Sequence, residues 1–210
     1  MNRNLYGIML KYPEPGRVKT RLAKEMGDHR AAEIYRQIAE VILTNTTPAD
    51  QEYDRIVLYD PQERHHDFEQ WLPGNALSLQ QGDDLGERMD NAIREFLERG
   101  AEKTVLTGAD IPALDAAVIS EAFQALDHAD IVIGPAADGG YYLIGMKERH
   151  PAVFKGMLWS TKTVLDETVK AIRRLSLSYA YVTTLSDLDT PDDYNRFLIQ
   201  AARPKPETCA

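Results

Sequence analysis

The basic stretch at residues 11–22, KYPEPGRVKTRL, has the residue types best suited to binding a ligand. It sets four cations against the single acid Glu14, namely Lys11, Arg17, Lys19 and Arg21. Its prolines and glycine prevent a helix and bend the backbone. A bent, basic loop before a helix offers both cations and backbone N–H groups to phosphate oxygens. The stretch therefore favours a phosphate-rich ligand, with a solvated loop that is merely basic as the alternative.

Short acidic and glycine-containing segments recur later in the chain. They are Gly82-Asp83, Asp110, Asp138-Gly139-Gly140, and Asp187 with Asp189. Carboxylates beside bound phosphate suggest a divalent cation, because Mg²⁺ takes one or two carboxylates and completes its shell with phosphate oxygens and water. Simpler interpretations are also open. Asp110 can end a strand, the Asp-Gly-Gly sequence can be a tight turn, and the last two acids can precede a helix N-terminus.

Apolar runs and helical periodicities alternate along the chain and supply the elements that position these residues. Strands are predicted at Leu5–Leu10, Arg55–Tyr59, Ala76–Leu79, Lys103–Thr107, Ile131–Gly134, Tyr141–Met146 and Ser178–Thr183. Helices are predicted from Asp28 to about Thr44, at Gln62–Trp71, from Leu85 to Gly100, from about Asp115 to Leu126, from a cap at Ser160 or Thr161, and from Thr190.

This alternation predicts an α/β fold with an open, mostly parallel sheet and helices on both faces. Tyr141–Met146 follows the preceding strand so closely that it is expected to be antiparallel or an edge strand. Loops after parallel strands meet at one rim, where ligands of such sheets bind. The basic stretch and the acidic segments should converge there, and this joint placement matters more than any single segment.

Composition excludes several other classes of protein. The 210 residues suit one domain, predicted at 1–202 with a loose tail at 203–210. A net charge of −9 and a pI near 5.1 argue against a general nucleic-acid binder. No apolar run approaches the ~18 residues of a membrane span. The single cysteine, Cys209, excludes an internal disulfide, so a cytoplasmic location is expected.

Signatures of other nucleotide-binding and hydrolytic families are missing from the sequence. The P-loop pattern GxxxxGK[ST] is absent, and no GxGxxG follows the first strand, which disfavours a dinucleotide dehydrogenase. The GxSxG nucleophile elbow and the HExxH zinc helix are absent as well.

A resemblance to a known family rests on six motifs that occur in this order: KYPEPGRVKTRLA, QGDDLGERM, TGADIPAL, GPAADGGYYLIGM, WSTKTVLDET and DLDTPDDY. Together they resemble the small bacterial nucleotide-diphospho-sugar transferases of the GT-A fold. These are glycosyltransferase-like proteins of uncharacterised function, some of them assigned to arsenosugar biosynthesis. The likeness spans Leu5 to about Ala201. A more distant likeness, through the basic loop and its KTRL element, is to 2-phospholactate guanylyltransferases.

The resemblance implies a GT-A-like mixed sheet, a nucleotide lying over the first-strand loop, and Mg²⁺ or Mn²⁺ as cofactor. The implied phosphate-binding residues are Lys11, Arg17, Lys19 and Arg21, while Gly82, Asp83, Leu85 and Gly86 would border the base or ribose. Asp110 is the implied metal ligand, and Asp187 or Asp189 would complete the metal shell. Asp138, Gly139 and Gly140 would shape the acceptor side. The expected catalytic residues are Lys19, Asp110 and Asp138.

Three functions follow as hypotheses. The first is glycosyl transfer from a nucleotide sugar to a small-molecule acceptor, in which metal and cations stabilise the departing diphosphate. The second is nucleotidyl transfer, in which an acceptor attacks the α-phosphorus of an NTP and pyrophosphate leaves; the dense basic loop suits a triphosphate. The third is nucleotide binding without catalysis. Many GT-A enzymes carry Asp-x-Asp at the metal strand, whereas Ala109 stands beside Asp110 here.

Overall fold

The computed structural model describes residues 3–48 and 50–201 and has an α/β fold. Its strands are β1 Asn4–Lys11, β2 Asp54–Asp60, β3 Ala76–Leu79, β4 Lys103–Thr107, β5 Ile131–Pro135, β6 Tyr141–Met146 and β7 Tyr179–Tyr181. Its helices are α1 Thr20–Met26, α2 Asp28–Asn45, α3 His65–Trp71, α4 Leu85–Glu98, α5 Ala116–Ala125, α6 Val164–Arg174 and α7 Pro191–Ala201. Short 3₁₀ turns lie at Gln62–Arg64 and Pro151–Val153. The predicted tail at 203–210, with Cys209, lies outside the described residues.

The strands form one sheet in the order β3-β2-β1-β4-β6-β5-β7. Neighbouring strands are parallel except that β6 runs antiparallel to both β4 and β5. The five residues 136–140 between β5 and β6 are too few for a crossover helix, so the chain must return antiparallel. The expected antiparallel direction of Tyr141–Met146 is therefore confirmed, but the strand is interior and not at an edge.

Helices cover both faces of the sheet because successive strand residues point to opposite sides. On one face, Tyr6 and Ile8 of β1 join a core that contains the buried residues of α2 and α5. On the other face, Leu5 joins a core that contains buried residues of α4 and α6. Gly7 allows α4 to approach closely, since a Cβ there would lie 2.9 Å from the Phe96 ring. The two cores hold the strand ends, and the loops that follow them, in fixed positions.

The starts of two helices differ from the sequence-based prediction. Asp28 is the first residue of α2, and Gly27, with φ of 82°, is its N-cap because α1 ends directly before it. The next difference is in α6, which begins after Thr163 and not after a cap at Ser160 or Thr161. Thr161 instead donates from its hydroxyl to a carbonyl three residues earlier, which closes a turn. The last strand is also shorter than predicted, at three residues.

The start of α7 agrees with the prediction. Asp193 accepts hydrogen bonds from the backbone N–H of Thr190 at 2.9 Å, and the Thr190 hydroxyl accepts from the Asp193 N–H at 3.2 Å. This reciprocal pair satisfies two helix N-terminal donors. Within the two described ranges, no helix has both the length and the apolar character needed to cross a bilayer.

Candidate functional site

A cleft of about 820 Å³ runs along the carboxyl ends of the parallel strands. Its wall is formed by the loop after β1, by the ends of β2, β3 and β4, and by three later segments around residues 138, 160 and 188. The wall contains all four cations of the basic stretch and four of the predicted acids: Lys11, Arg17, Lys19, Arg21, Asp110, Asp138, Asp187 and Asp189. The residues that the sequence distributes over 179 positions, from 11 to 189, therefore meet at one rim.

Lys19 connects the basic stretch to the acids. Its Nζ lies 2.7 Å from Asp110 Oδ1 and 3.3 Å from Asp189 Oδ1, and donates to the Leu188 carbonyl at 2.7 Å. Only 4% of the side chain is exposed. Lys19 precedes α1 with φ of 47°, a left-handed conformation that costs a non-glycine residue roughly 1 kcal/mol or more. The three acceptors supply the contacts that offset this cost.

The other three cations are more accessible. Arg21 pairs with Asp189 at 3.0 Å, yet 66% of its side chain is exposed. Lys11 and Arg17 are exposed in the cleft wall, and neither side chain has an ion pair or hydrogen bond with a residue in the described part of the chain. These two charges are therefore available to a ligand, whereas the charge of Lys19 is already matched by the protein.

Asp187 lies at the centre of the acidic side of the cleft. Burial, and then the nearby carboxylates of Asp138, Asp110 and Asp189, raise its pKa to about 6, against the opposing effect of Lys19. Its Oδ1 is buried and has no hydrogen-bond partner among the described residues. Like charges and an unsatisfied buried oxygen are both unfavourable, so this carboxyl group is poised to bind a cation or a proton.

The donor set fits a divalent cation. Within the described ranges, no three His, Cys, Asp or Glu side chains are already gathered closely enough to form a metal site. The orphaned oxygen of Asp187 and the neighbouring carboxylates of Asp110 and Asp189 are nevertheless the hard oxygen ligands that Mg²⁺ and Mn²⁺ prefer. A cation here would satisfy the oxygen and reduce the repulsion among the acids.

The predicted Asp-Gly-Gly segment is a turn between β5 and β6. Asp138 is exposed in the cleft wall, and its Oδ1 accepts a hydrogen bond from the Gly140 N–H at 3.0 Å. Gly140 also lines the cleft, but Gly139 does not. Gly139 has φ of 96°, and a Cβ at this position would overlap the Lys162 carbonyl. Its role is therefore to let the turn pack against the segment that leads into α6.

The segment at 82–86 also contains both residues that line the cleft and glycines that do not. Asp83 and Leu85 line the cleft, whereas Gly82 and Gly86 lie behind its wall. Gly86 is buried, and a Cβ there would lie 2.7 Å from the Trp159 ring. The Gly82 carbonyl accepts a hydrogen bond from a side chain of α4 at 3.1 Å. The two glycines allow close packing, and the residues between and after them face the cleft.

Several cleft residues were missed by the reasoning from sequence, namely Tyr35, Asp60, Gln80, Arg88 and Trp159. The Tyr35 hydroxyl accepts from the backbone N–H of Lys11 at 2.9 Å, and burial, followed by the charge of Asp110, raises its pKa. Asp60 and Gln80 stand at the ends of β2 and β3, so the rule that ligands bind beyond strand ends would have found them. Tyr35 and Arg88 lie on helices, where no sequence signal marked them.

The fold and the site define the class: an α/β protein with the architecture of the nucleotide-diphospho-sugar transferases. The chain belongs to the family described as "Uncharacterized protein conserved in bacteria (DUF2064)", whose model matches residues 43–161. The family resemblance inferred from the six motifs is thereby confirmed. A search of the curated proteins finds no match.

Solved structures agree with this assignment. A candidate nucleotide-diphospho-sugar transferase from Desulfovibrio desulfuricans G20 is 36% identical, with a TM-score of 0.90 over 98% of this chain and 90% of that one. The 4-diphosphocytidyl-2C-methyl-D-erythritol synthase of Anaerococcus prevotii DSM 20548 is 9% identical, with a TM-score of 0.63 over 96% and 100% of the two chains. Rv0371c of Mycobacterium tuberculosis H37Rv, in complex with manganese, is 16% identical, with a TM-score of 0.52 over 93% and 98%. The last two share the fold.

Proposed function

We propose that this protein is a metal-dependent transferase that moves a glycosyl group from a nucleotide-diphospho-sugar to a small-molecule acceptor. The observation that carries the proposal is the meeting of the basic stretch and the acids in one cleft, with Lys19 Nζ 2.7 Å from Asp110. A diphosphate requires cations, and a metal requires carboxylates, within a few ångströms of each other. The 36% identical relative, a candidate nucleotide-diphospho-sugar transferase, supports the same reaction class.

Asp110, Asp187 and Asp189 would hold Mg²⁺ or Mn²⁺, and the bound ion would supply charge stabilisation to the departing diphosphate. The manganese complex of the M. tuberculosis neighbour supports a metal in this fold. Lys11 and Arg17 present the charges that remain available for the phosphate oxygens. Phosphate bound between these cations and a metal ion held by the acids would have its negative charge neutralised from both directions.

Asp138 is the residue that we assign to accept the acceptor's proton. Its carboxylate is exposed in the wall, and the hydrogen bond from Gly140 to Oδ1 orients it. In the transfer step the acceptor oxygen forms a bond to the anomeric carbon while the bond from that carbon to the phosphate oxygen breaks. The electron pair leaves with the nucleoside diphosphate, and the proton of the acceptor hydroxyl passes to Asp138.

Nucleotidyl transfer is the second candidate. It is favoured by Lys11 and Arg17, two cations without an ion pair to any described residue, which suit a third phosphate. In that reaction an acceptor oxygen bonds to the α-phosphorus of an NTP, and pyrophosphate leaves with the electron pair. The A. prevotii neighbour is a 4-diphosphocytidyl-2C-methyl-D-erythritol synthase, and its name is consistent with this chemistry on the same fold.

Product analysis separates the candidates. The full-length protein is incubated with Mn²⁺, a panel of small acceptors, and either nucleotide sugars or NTPs, and the release of nucleoside diphosphate or pyrophosphate is followed. If the reaction is glycosyl transfer, nucleoside diphosphate is released, and Asp138→Asn should reduce this release. Asp127→Asn is the matched control, because Asp127 pairs with Lys103 away from the cleft, and it should leave the release unchanged. Pyrophosphate release selects nucleotidyl transfer. Tight nucleotide binding with neither product favours a non-catalytic nucleotide-binding protein and contradicts both reactions.

A further inference from the structure

Lys19 uses all its hydrogen-bond donors within the protein. A lysine ammonium carries three N–H donors. Its Nζ lies 2.7 Å from Asp110 Oδ1, 3.3 Å from Asp189 Oδ1 and 2.7 Å from the Leu188 carbonyl, so each donor has one acceptor. Only 4% of the side chain is exposed, so water competes little for these contacts. A phosphate oxygen can therefore accept from this ammonium only after one of the three contacts is broken.

Backbone hydrogen bonds hold together the two acids that contact the ammonium. The Leu188 N–H donates to the Asp110 carbonyl at 3.1 Å, which joins the segment after β4 to the segment before α7. The Asp189 N–H donates to Asp193 Oδ2 at 3.1 Å, which fixes the same segment to the start of α7. Lys19 Nζ lies within 3.3 Å of both carboxylates. The ammonium therefore stands where a cation can bridge Asp110 and Asp189.

A divalent cation held by the same acids needs the same place. Asp110 and Asp189 are two of the three ligands that we assign to Mg²⁺ or Mn²⁺, and Asp187 is the third. Each carboxylate oxygen of Asp189 already faces a cation, Oδ1 facing Lys19 at 3.3 Å and Oδ2 facing Arg21 at 3.0 Å. A metal ion bound to Asp189 would therefore stand directly beside one of these cations, whichever oxygen it used.

Repulsion between the two cations falls mainly on Lys19. An ion bound at about 2.1 Å to the Asp110 oxygen that Lys19 contacts at 2.7 Å would lie within about 5 Å of the ammonium. Positive charges at that distance repel strongly where little water screens them. Arg21 is 66% exposed, so solvent screens its charge. Lys19 is shielded and contacts two of the assigned ligands, so the metal ion and its ammonium exclude each other.

The metal ion can satisfy an acceptor that the ammonium leaves unsatisfied. Asp187 Oδ1 is buried and has no hydrogen-bond partner among the described residues. Lys19 cannot serve it, because its three donors are already engaged. Mg²⁺ and Mn²⁺ accept several oxygen ligands at once, so one ion can join all three carboxylates. This additional contact favours replacement of the ammonium by the ion.

We propose that Lys19 is an internal counter-ion that a divalent cation displaces from Asp110 and Asp189; the inference rests on the metal site of the proposed function. The displaced ammonium has all its donors available again. Its side chain lines the same cleft as Lys11 and Arg17, so it joins the cations that face a ligand there. Metal binding therefore prepares the cleft for phosphate, and by thermodynamic linkage phosphate bound to Lys19 tightens metal binding.

Chemical modification of lysines tests the displacement in the unaltered protein. The full-length protein is treated with an acetylating N-hydroxysuccinimide ester, with and without saturating Mn²⁺, and the rate at each lysine is followed by peptide mass spectrometry. We expect Lys19 to react at least tenfold faster with Mn²⁺ present. Lys103, which pairs with Asp127 away from the cleft, should react at the same rate in both conditions. An unchanged rate at Lys19 overturns the displacement.

Calorimetric titration of two variants with Mn²⁺ gives an independent measure. Lys19→Met removes the competing ammonium and should bind Mn²⁺ at least tenfold more tightly than the wild type. Arg21→Met removes one charge beside the same Asp189 and should stay within about threefold of the wild type. An unchanged or lower affinity in Lys19→Met, or equal gains in both variants, contradicts competition at a shared place.

The outcomes separate this inference from the proposed function. Both measurements follow the ion and the Lys19 amine and involve no transfer, so displacement can be confirmed in a protein that releases neither nucleoside diphosphate nor pyrophosphate. Bound Mn²⁺ that leaves the Lys19 rate unchanged overturns the displacement and leaves the transferase proposal intact. Failure of Mn²⁺ to bind either the wild type or Lys19→Met overturns the metal site, and with it both proposals.

Discussion

Replacing Lys19 by methionine tests whether the lysine ties the basic stretch to the acids. Methionine retains most of the apolar stem and removes the ammonium group, which contacts Asp110, Asp189 and the Leu188 carbonyl. Because only 4% of the Lys19 side chain is exposed, these contacts form in a region of reduced dielectric. The substitution should therefore destabilise the fold measurably.

The size of the loss depends on the partners left behind. Removing one member of a fully buried ion pair costs about 3–5 kcal/mol, whereas an exposed pair contributes about 0–1 kcal/mol. The side chains of Asp110 and Asp189 are 53% and 33% exposed, so water can solvate both carboxylates once the lysine is gone. Lys19→Met should lie between the two limits, at about 2 kcal/mol, which lowers Tm by about 4–8 °C for a chain of this length.

Urea unfolding of the full-length protein measures the effect, and Arg21→Met is the matched control. Arg21 pairs with the same Asp189 but is 66% exposed, so its loss should cost less than about 0.5 kcal/mol. A Lys19→Met variant as stable as Arg21→Met would refute the reasoning, because burial of the ammonium group would then have no energetic consequence.

Three further outcomes are expected. Asp187→Asn should weaken Mn²⁺ binding at least tenfold in a calorimetric titration, since it removes the charge beside the unsatisfied oxygen; unchanged affinity would remove Asp187 from the metal site. Gly139→Ala should cost more than about 2 kcal/mol in urea unfolding, because its φ is positive and its Cβ would overlap the Lys162 carbonyl, whereas Gly156→Ala, with φ of 72° and open space, should cost about 1 kcal/mol. Hydrogen bonds from Ser178 lower the pKa of Asp130, so this carboxylate stabilises the fold above the unfolded pKa of about 3.9 and loses that effect as the pH falls further. The stability difference between wild type and Asp130→Ala, about 1 kcal/mol at pH 7, should therefore shrink towards pH 3; a constant difference would contradict the ionic role.

Local patterns in the sequence predicted most of the elements. Three strands, Ala76–Leu79, Lys103–Thr107 and Tyr141–Met146, have the predicted bounds because apolar runs and the breaks beside them are local signals. Rules about strand ends also predicted that the basic stretch and Asp110 would share a rim. The start of α6 was not predicted correctly, since the 160–163 turn depends on hydrogen bonds that the sequence does not display.

The amino-acid sequence by itself determined which charges this protein carries and, through strand and helix patterns, that they would lie near one rim. Only the tertiary structure decided which charges are matched within the protein and which face the cleft. Lys11 and Lys19 look alike in sequence, yet one is exposed and the other is buried against Asp110 and Asp189. The physical reason is that an ion pair depends on a few ångströms of separation between distant parts of the chain, which strand order and loop geometry set and local sequence does not.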